Sequence, residues 1–234
     1  MFTYVLLTIA VFIAPLALSF DKKVAFYTYW KPLIISMIPV SAIYIIWDVI
    51  VTDLGHWWFS DQYSGVVTIL GLPLGEWLFF FVVPYACIFI YEVVRAYFPY
   101  KRSNNKKAIR TIAYAVILGG IILFFVFAHK GYSRLAMISI SVYVILTLIL
   151  APHLFSEIHT LWYFLLSLVA FLIVNSVLTG LPIVLYSPEA IWGIRIFTIP
   201  LEDAFYNTSM LGLFLTSYVT CKKFFPPSKQ RGNK

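Results

Sequence analysis

Two short stretches place carboxyl groups next to proline where a long apolar run begins: Pro73-Leu74-Gly75-Glu76 and Pro200-Leu201-Glu202-Asp203. Glu76 is followed by Trp-Leu-Phe-Phe-Phe-Val-Val, and the second stretch is preceded by Ile-Arg-Ile-Phe-Thr-Ile, so Glu76, Glu202 and Asp203 lie close to hydrocarbon. Ionisable groups are expensive there and usually mark function. A carboxylic acid that keeps its proton in an apolar site is a general acid, and a second carboxylate nearby is its complementary base. Aromatic residues crowd the same stretches: Trp57, Trp58, Trp77, Phe79, Phe80, Phe81, Phe205 and Tyr206. An aromatic face attracts a cation by about 0.5–2 kcal/mol, so such a lining suits a carbocation and excludes the water that would trap it. Plainer readings stand beside these. Proline followed by acids in a first turn is ordinary helix-start chemistry, and aromatic residues also form interfacial belts.

Other chemistries lack their residues. Four histidines, His56, His129, His153 and His159, are too few and wrongly spaced for a membrane di-iron centre. The sequence has no Gly-rich phosphate loop, no Asp-rich segment for a diphosphate and its magnesium, and no lysine between 203 and 221 for a Schiff base. Cys87 and Cys221 lack the spacing of a metal or redox pair. Neither a flavin nor a nicotinamide motif is recognisable, so the expectation is acid–base chemistry on an apolar substrate, with no cofactor and no metal.

The elements that must position these residues are membrane helices. The chain of 234 residues is 62% hydrophobic, 19% aromatic and only 12% charged, with a mean hydropathy of +0.90, far from the balance of a soluble domain. Apolar runs near 2–20, 33–51, 76–98, 109–128, 134–151, 160–179 and 203–221 are each long enough for a hydrocarbon core of about 30 Å. The first has neither a basic leader nor a cleavage site and is read as a helix rather than a signal peptide. The expected fold is an all-α integral membrane protein of about seven helices. Alternating the loops puts 14 Lys and Arg on one side, among them Lys22, Arg95, Lys101, Lys222 and Lys234, and only Lys130, Arg134 and Arg195 on the other. That asymmetry makes the C-terminus cytoplasmic and the N-terminus external in a multi-pass cell (inner) membrane protein. The net charge of +7 then encodes orientation and not nucleic-acid binding. Seven of the ten acids, Glu76, Glu202 and Asp203 included, fall toward the outer face.

The shift that lays Asp48 on Asn175 also lays the first Pro-Leu stretch on the second; Thr52 with Thr179, Ser60 with Ser187 and Pro99 with Pro226 fall in the same register. The reading is a parallel 3+1+3 repeat: residues 1–98, a basic loop and linking helix over 99–128, residues 129–222, and a basic tail over 223–234. Asp48 and Asn175, which precede Pro73 and Pro200 by the same interval, would orient the motif carboxylates or pair helices by polar contact.

The stretch Gly71 to Glu92, with Ile199-Pro-Leu-Glu-Asp-Ala-Phe-Tyr-Asn207, resembles the membrane-integral lycopene cyclases, which occur as two small subunits or one fused chain. The resemblance covers essentially the whole chain and fits the fused form. The family hallmark, Pro-x-Glu-Glu/Asp in each half, is met by Pro200, Glu202 and Asp203, while the first half has Gly75 in place of the first Glu and keeps Pro73 and Glu76. Restoring that Glu at Gly75 is expected to leave activity intact. The resemblance implies redox-neutral closure of the ψ ends of lycopene to β-ionone rings through a monocyclic intermediate, with Glu76, Glu202 and Asp203 catalytic. It implies substrate contacts at Asp48, Asn175, Pro73, Pro200 and the aromatic residues Trp57, Trp58, Trp77, Phe79, Phe80, Phe205 and Tyr206. Partners would be the carotenoids, the bilayer and neighbouring carotenoid enzymes, with no nucleic acid. Two rival readings use the same residues: a carotenoid hydratase, in which water captures the cation, and a carrier built on the 3+1+3 plan of SWEET-type transporters.

Overall fold

The structure, a computed structural model, describes residues 2–65 and 67–227. The tail residues Lys229, Arg231 and Lys234 lie outside them. Among the described residues seven long helices dominate: α1 (Thr3–Leu18), α2 (Trp30–Asp53), α4 (Leu74–Tyr97), α5 (Lys106–Val126), α6 (Gly131–Leu150), α7 (Ile158–Gly180) and α8 (Leu201–Phe224), with a single-turn α3 (Asp61–Ser64) between α2 and α4. Five of them, α2, α4, α5, α6 and α7, are long and apolar enough to cross a membrane. The other two depart from the sequence expectation for different reasons. Helix α1 is apolar but has only 16 residues, about 24 Å of rise. Helix α8 has 24 residues but carries Glu202, Asp203, Asn207, Ser209 and Thr216, all buried against other helices and away from lipid.

Packing crosses the chain. Helix α1 lies on α4 and α6 on α8, while α2 packs against α8 and α7 against α4. Helix α5, the linker, lies mainly on α6, and most of its side chains face outward. The largest core cluster runs between α2, α4 and α8 through Leu33, Tyr44, Phe80, Ile88, Phe214 and Tyr218.

Short backbone pairings close one end of the bundle, at the N-terminal ends of α4 and α8. The hairpin of β2 (Thr68–Ile69) and β3 (Leu72–Pro73) leads into α4, and that of β5 (Arg195–Ile196) and β6 (Ile199–Pro200) leads into α8. Each turns at a bulky residue with positive φ, Leu70 at 52° and Phe197 at 55°, a backbone region such side chains rarely adopt. Pro73 and Pro200 are therefore not in the first helical turn, as the sequence reading had them, but one residue before it, as the N-caps. Proline fits there because its fixed φ suits the strand and its missing N–H is not needed. Finally, β1 (Trp57–Phe59) pairs antiparallel with β4 (Val184–Tyr186), Trp58 opposite Leu185. Matching bonds flank this pair, Ser60 N–H to the Ile183 carbonyl and Ser187 N–H to that of His56. The two bonds are equivalent, since the repeat register places Ser60 on Ser187 and His56 on Ile183.

Candidate active site

The N-terminal ends of α1, α4, α6 and α8 converge under the β1–β4 pair because the hairpins fix where α4 and α8 begin. They enclose a small cavity, about 60 Å³, whose wall contains both Glu76 and Asp203. Each is the third residue of its helix, so both project at equivalent depth near the positive helix ends, which favour acceptor oxygens.

The two carboxyls are held differently. Asp203 accepts three hydrogen bonds: from the Tyr132 hydroxyl at 2.6 Å, the Tyr186 hydroxyl at 2.7 Å and the Asn175 amide at 2.9 Å. Glu76 accepts one from the Tyr4 hydroxyl, and the carboxyl of Asp48, from the last turns of α2, lies beside it, its Oδ2 without a partner among the described residues. Asp48 in turn accepts from the Trp57 indole N–H at 2.8 Å and, at 3.4 Å, from the Thr52 hydroxyl. Two carboxyls side by side and out of water repel each other when both are ionised, which favours one proton kept between them. The site thus sets a pair of carboxyls on one side of the cavity and, across it, a carboxyl supplied only by donors. Burial, then the charge of Asp203, pushes the Tyr186 phenol well above its ordinary range, which keeps it a donor.

Of the residues named from sequence, Trp57, Phe79, Tyr206, Asn175, Glu76 and Asp203 line the cavity, and Asp48 stands behind Glu76. Glu202 does not join them. Its side chain is 0% exposed but turned toward α6 and the loop before β5, where Oε1 accepts from the Ser133 hydroxyl at 2.6 Å and the Trp192 N–H at 2.5 Å. Among the described residues, no partner reaches its Oε2. Gly75, its counterpart, has no room for a side chain: a Cβ there would lie 2.5 Å from Cγ of Tyr4. The ring of Tyr4, the residue that holds Glu76, occupies the space that a side chain at Gly75 would need, so a glutamate there must displace it.

Other expected contacts also fall away from the cavity. Trp58 is exposed, Trp77 turns back to donate to the Ile69 carbonyl, and Phe80 is buried in the α2–α4–α8 core. Phe205 packs on Trp192, Phe81 faces outward, and Pro73 and Pro200 serve as helix caps. Sequence reasoning missed Tyr4, Tyr132 and Tyr186, the three phenols that hold the carboxyls. In the repeat register Tyr4 falls on Gly131, and Tyr132 stands one position further on, so strict matching passed over the pair. Two further wall residues, Phe59 and Phe171, complete the aromatic lining. Among the described residues, no three His, Cys, Asp or Glu side chains gather to hold a metal ion.

The arrangement, two differently held carboxyls across one aromatic-lined pocket, suits acid–base chemistry on an apolar guest. The family model described as lycopene cyclase matches the chain in two stretches, residues 1–94 and 129–221. Neither a curated protein nor a solved structure matches it. With four-fifths of its length matched, this chain belongs to the lycopene cyclase family and is a carotenoid cyclase.

Proposed function

We propose that the protein is a lycopene β-cyclase working within the bilayer, with the proton of the Asp48–Glu76 pair starting the reaction and Asp203 completing it. The observation that carries this reading is that Glu76 and Asp203 face one aromatic cavity with different neighbours, Asp203 meeting only donors and Glu76 lying beside a second carboxyl. Glu76 adds a proton to the terminal double bond of a ψ end. The electrons of the next double bond then close a six-membered ring, and the positive charge moves to a ring carbon. Asp203 removes a proton from the adjacent ring position, leaving the β double bond. One proton enters and one leaves, so the product is an isomer of the substrate and no electrons are exchanged. Trp57, Phe79, Phe171 and Tyr206 surround the charge during its brief life. Glu202 acts from behind by fixing α6 and the Trp192 segment against α8. We assign Pro73, Pro200, Phe80 and Phe205 to shaping this wall rather than touching the guest.

The parallel 3+1+3 repeat is supported by the matched hairpins, by the equal helix bounds of α4 and α8, and by the pairing of β1 with β4. An external N-terminus is supported by the basic residues Arg95, Lys222 and Lys223 in the last turns of α4 and α8, opposite the acidic end. The pigment profile of a lycopene-accumulating host expressing the chain tests the reading. Bicyclic product supports it, a hydroxylated acyclic product makes the protein a hydratase, and unchanged lycopene beside abundant protein refutes both.

A further inference from the structure

Below the cage, a second, narrow cleft follows α4 between α1 and α7. Phe79, Phe171, Asn175 and Asn207 line both spaces, so the two adjoin. The cleft continues past Val11 of α1, Ser167 and Ala170 of α7, and Ala86, Cys87 and Ile90 of α4. From Phe79 to Ile90 the helix rises about 16 Å, and the flanking Ile9, Ile13, Val169 and Ile173 are exposed where lipid would lie. Helices α1 and α7 meet above it, through Tyr4, Leu7, Val174 and Leu178.

The repeat offers an equivalent gap on the other side, between α6 and α2 along α8, but there the space is filled. Ala86 and Cys87 correspond to Leu213 and Phe214, and Phe171 and Val174 to Tyr44 and Trp47. Tyr44, Met210 and Phe214 are 1%, 0% and 1% exposed, and Tyr44, Trp47 and Tyr206 pack ring against ring at 5.2–5.6 Å. The two halves match in backbone and differ in side-chain volume, so of these two gaps one is open and the other closed.

We infer that this cleft is the substrate channel: the linear polyene enters from the lipid between α1 and α7 and lies along α4 with its reacting end in the cage. The inference rests on the cyclase reading above. Its occupant follows from its lining: a narrow apolar cleft that adjoins a site sized for one end group fits the tail of a linear hydrocarbon. A single channel admits a single end, so ring formation at the two ends takes two binding events, and the monocyclic carotenoid returns to the membrane between them.

The test uses the full chain in liposomes containing isotopically labelled lycopene. After a short interval the reaction is diluted with excess unlabelled lycopene. The expected result is labelled monocyclic carotenoid free in the lipid, its conversion to bicyclic product slowed by the dilution; labelled bicyclic product appearing at an undiminished rate overturns the single channel. Ala170→Phe and Ala86→Phe, which plug the cleft, should lower cyclisation roughly a hundredfold at wild-type protein level, whereas Ile43→Phe, at the outward-facing counterpart of Ala170, should leave it unchanged. Plugged variants as active as wild type overturn the proposal. A wild-type protein that forms no ring fails the cyclase reading itself, so the two failures are distinct. If the plugged variants do not accumulate, the dilution result decides alone.

Discussion

Glu76 and Asp203 are each the third residue of a helix and face the same cavity, each held by a tyrosine from a neighbouring helix start. The equivalence ends at their second partners. Asn175 gives Asp203 an amide donor, whereas its counterpart Asp48 gives Glu76 another carboxyl. In the proposed mechanism this single difference between matching positions is what sets an acid opposite a base. Replacing Glu76 by Gln or Asp203 by Asn preserves size and hydrogen bonding but removes the capacity to move a proton. The rate of ring formation should fall about 10²–10⁴-fold, read as lycopene remaining at wild-type protein abundance. Simple capping groups would instead lose about 0.3–1 kcal/mol of helix-end stability and keep their activity.

Asp48→Asn makes the first half resemble the second. The amide donates to Glu76 and leaves no proton between two carboxyls, so the variant should cyclise at least about tenfold more slowly while its thermal unfolding barely shifts. Activity within a factor of two of wild type, measured on reconstituted protein, would rule out the shared proton.

Gly75→Glu restores a sequence pattern but inserts a side chain into the ring of Tyr4. We expect Tyr4 to be displaced from Glu76, with lower protein abundance and lower activity per molecule. Overpacking of this kind costs about 1–3 kcal/mol. Tyr4→Phe separates the two effects: it removes the hydroxyl at constant volume, so a loss of rate without a loss of protein identifies the hydrogen bond as the cause.

Much of this was legible beforehand, and the limits have physical causes. Apolar length marked all seven helices and came close to their ends, because a bilayer demands long runs. The motif acids Glu76 and Asp203 stood out because charge beside hydrocarbon is costly. Glu202 looked equivalent to Asp203 in sequence, yet adjacent residues on a helix point about 100° apart, and only one of them faces the cavity. Tyr4, Tyr132 and Tyr186 were illegible among 16 tyrosines, since nothing local distinguishes a tyrosine that reaches a carboxyl on a distant part of the chain from one at a membrane interface.

At the far end of α4, Glu92 is a second buried carboxylate with a different task. It accepts from Lys222 Nζ at 2.6 Å and the Tyr218 hydroxyl at 2.8 Å, and pairs with Arg95 at 3.1 Å. Glu92→Gln leaves the largely buried Lys222 without its counter-charge, so stability should fall by about 3 kcal/mol. The surviving folded protein should cyclise normally. A thermal melt in detergent, paired with activity per folded molecule, checks both halves of the expectation.

The crosswise packing of α2 on α8 and α7 on α4, with β1 hydrogen-bonded to β4, bears on what the covalent link accomplishes. The wall of the catalytic cage mixes side chains from before and after α5, yet α5 itself contributes none of them. Its service is to effective concentration: it keeps two interlocking pieces within reach of each other while they insert and close. Once closed, the pieces are clasped by their own contacts, and a break in the backbone before α5 would leave an assembly of two polypeptides with an undivided reaction chamber.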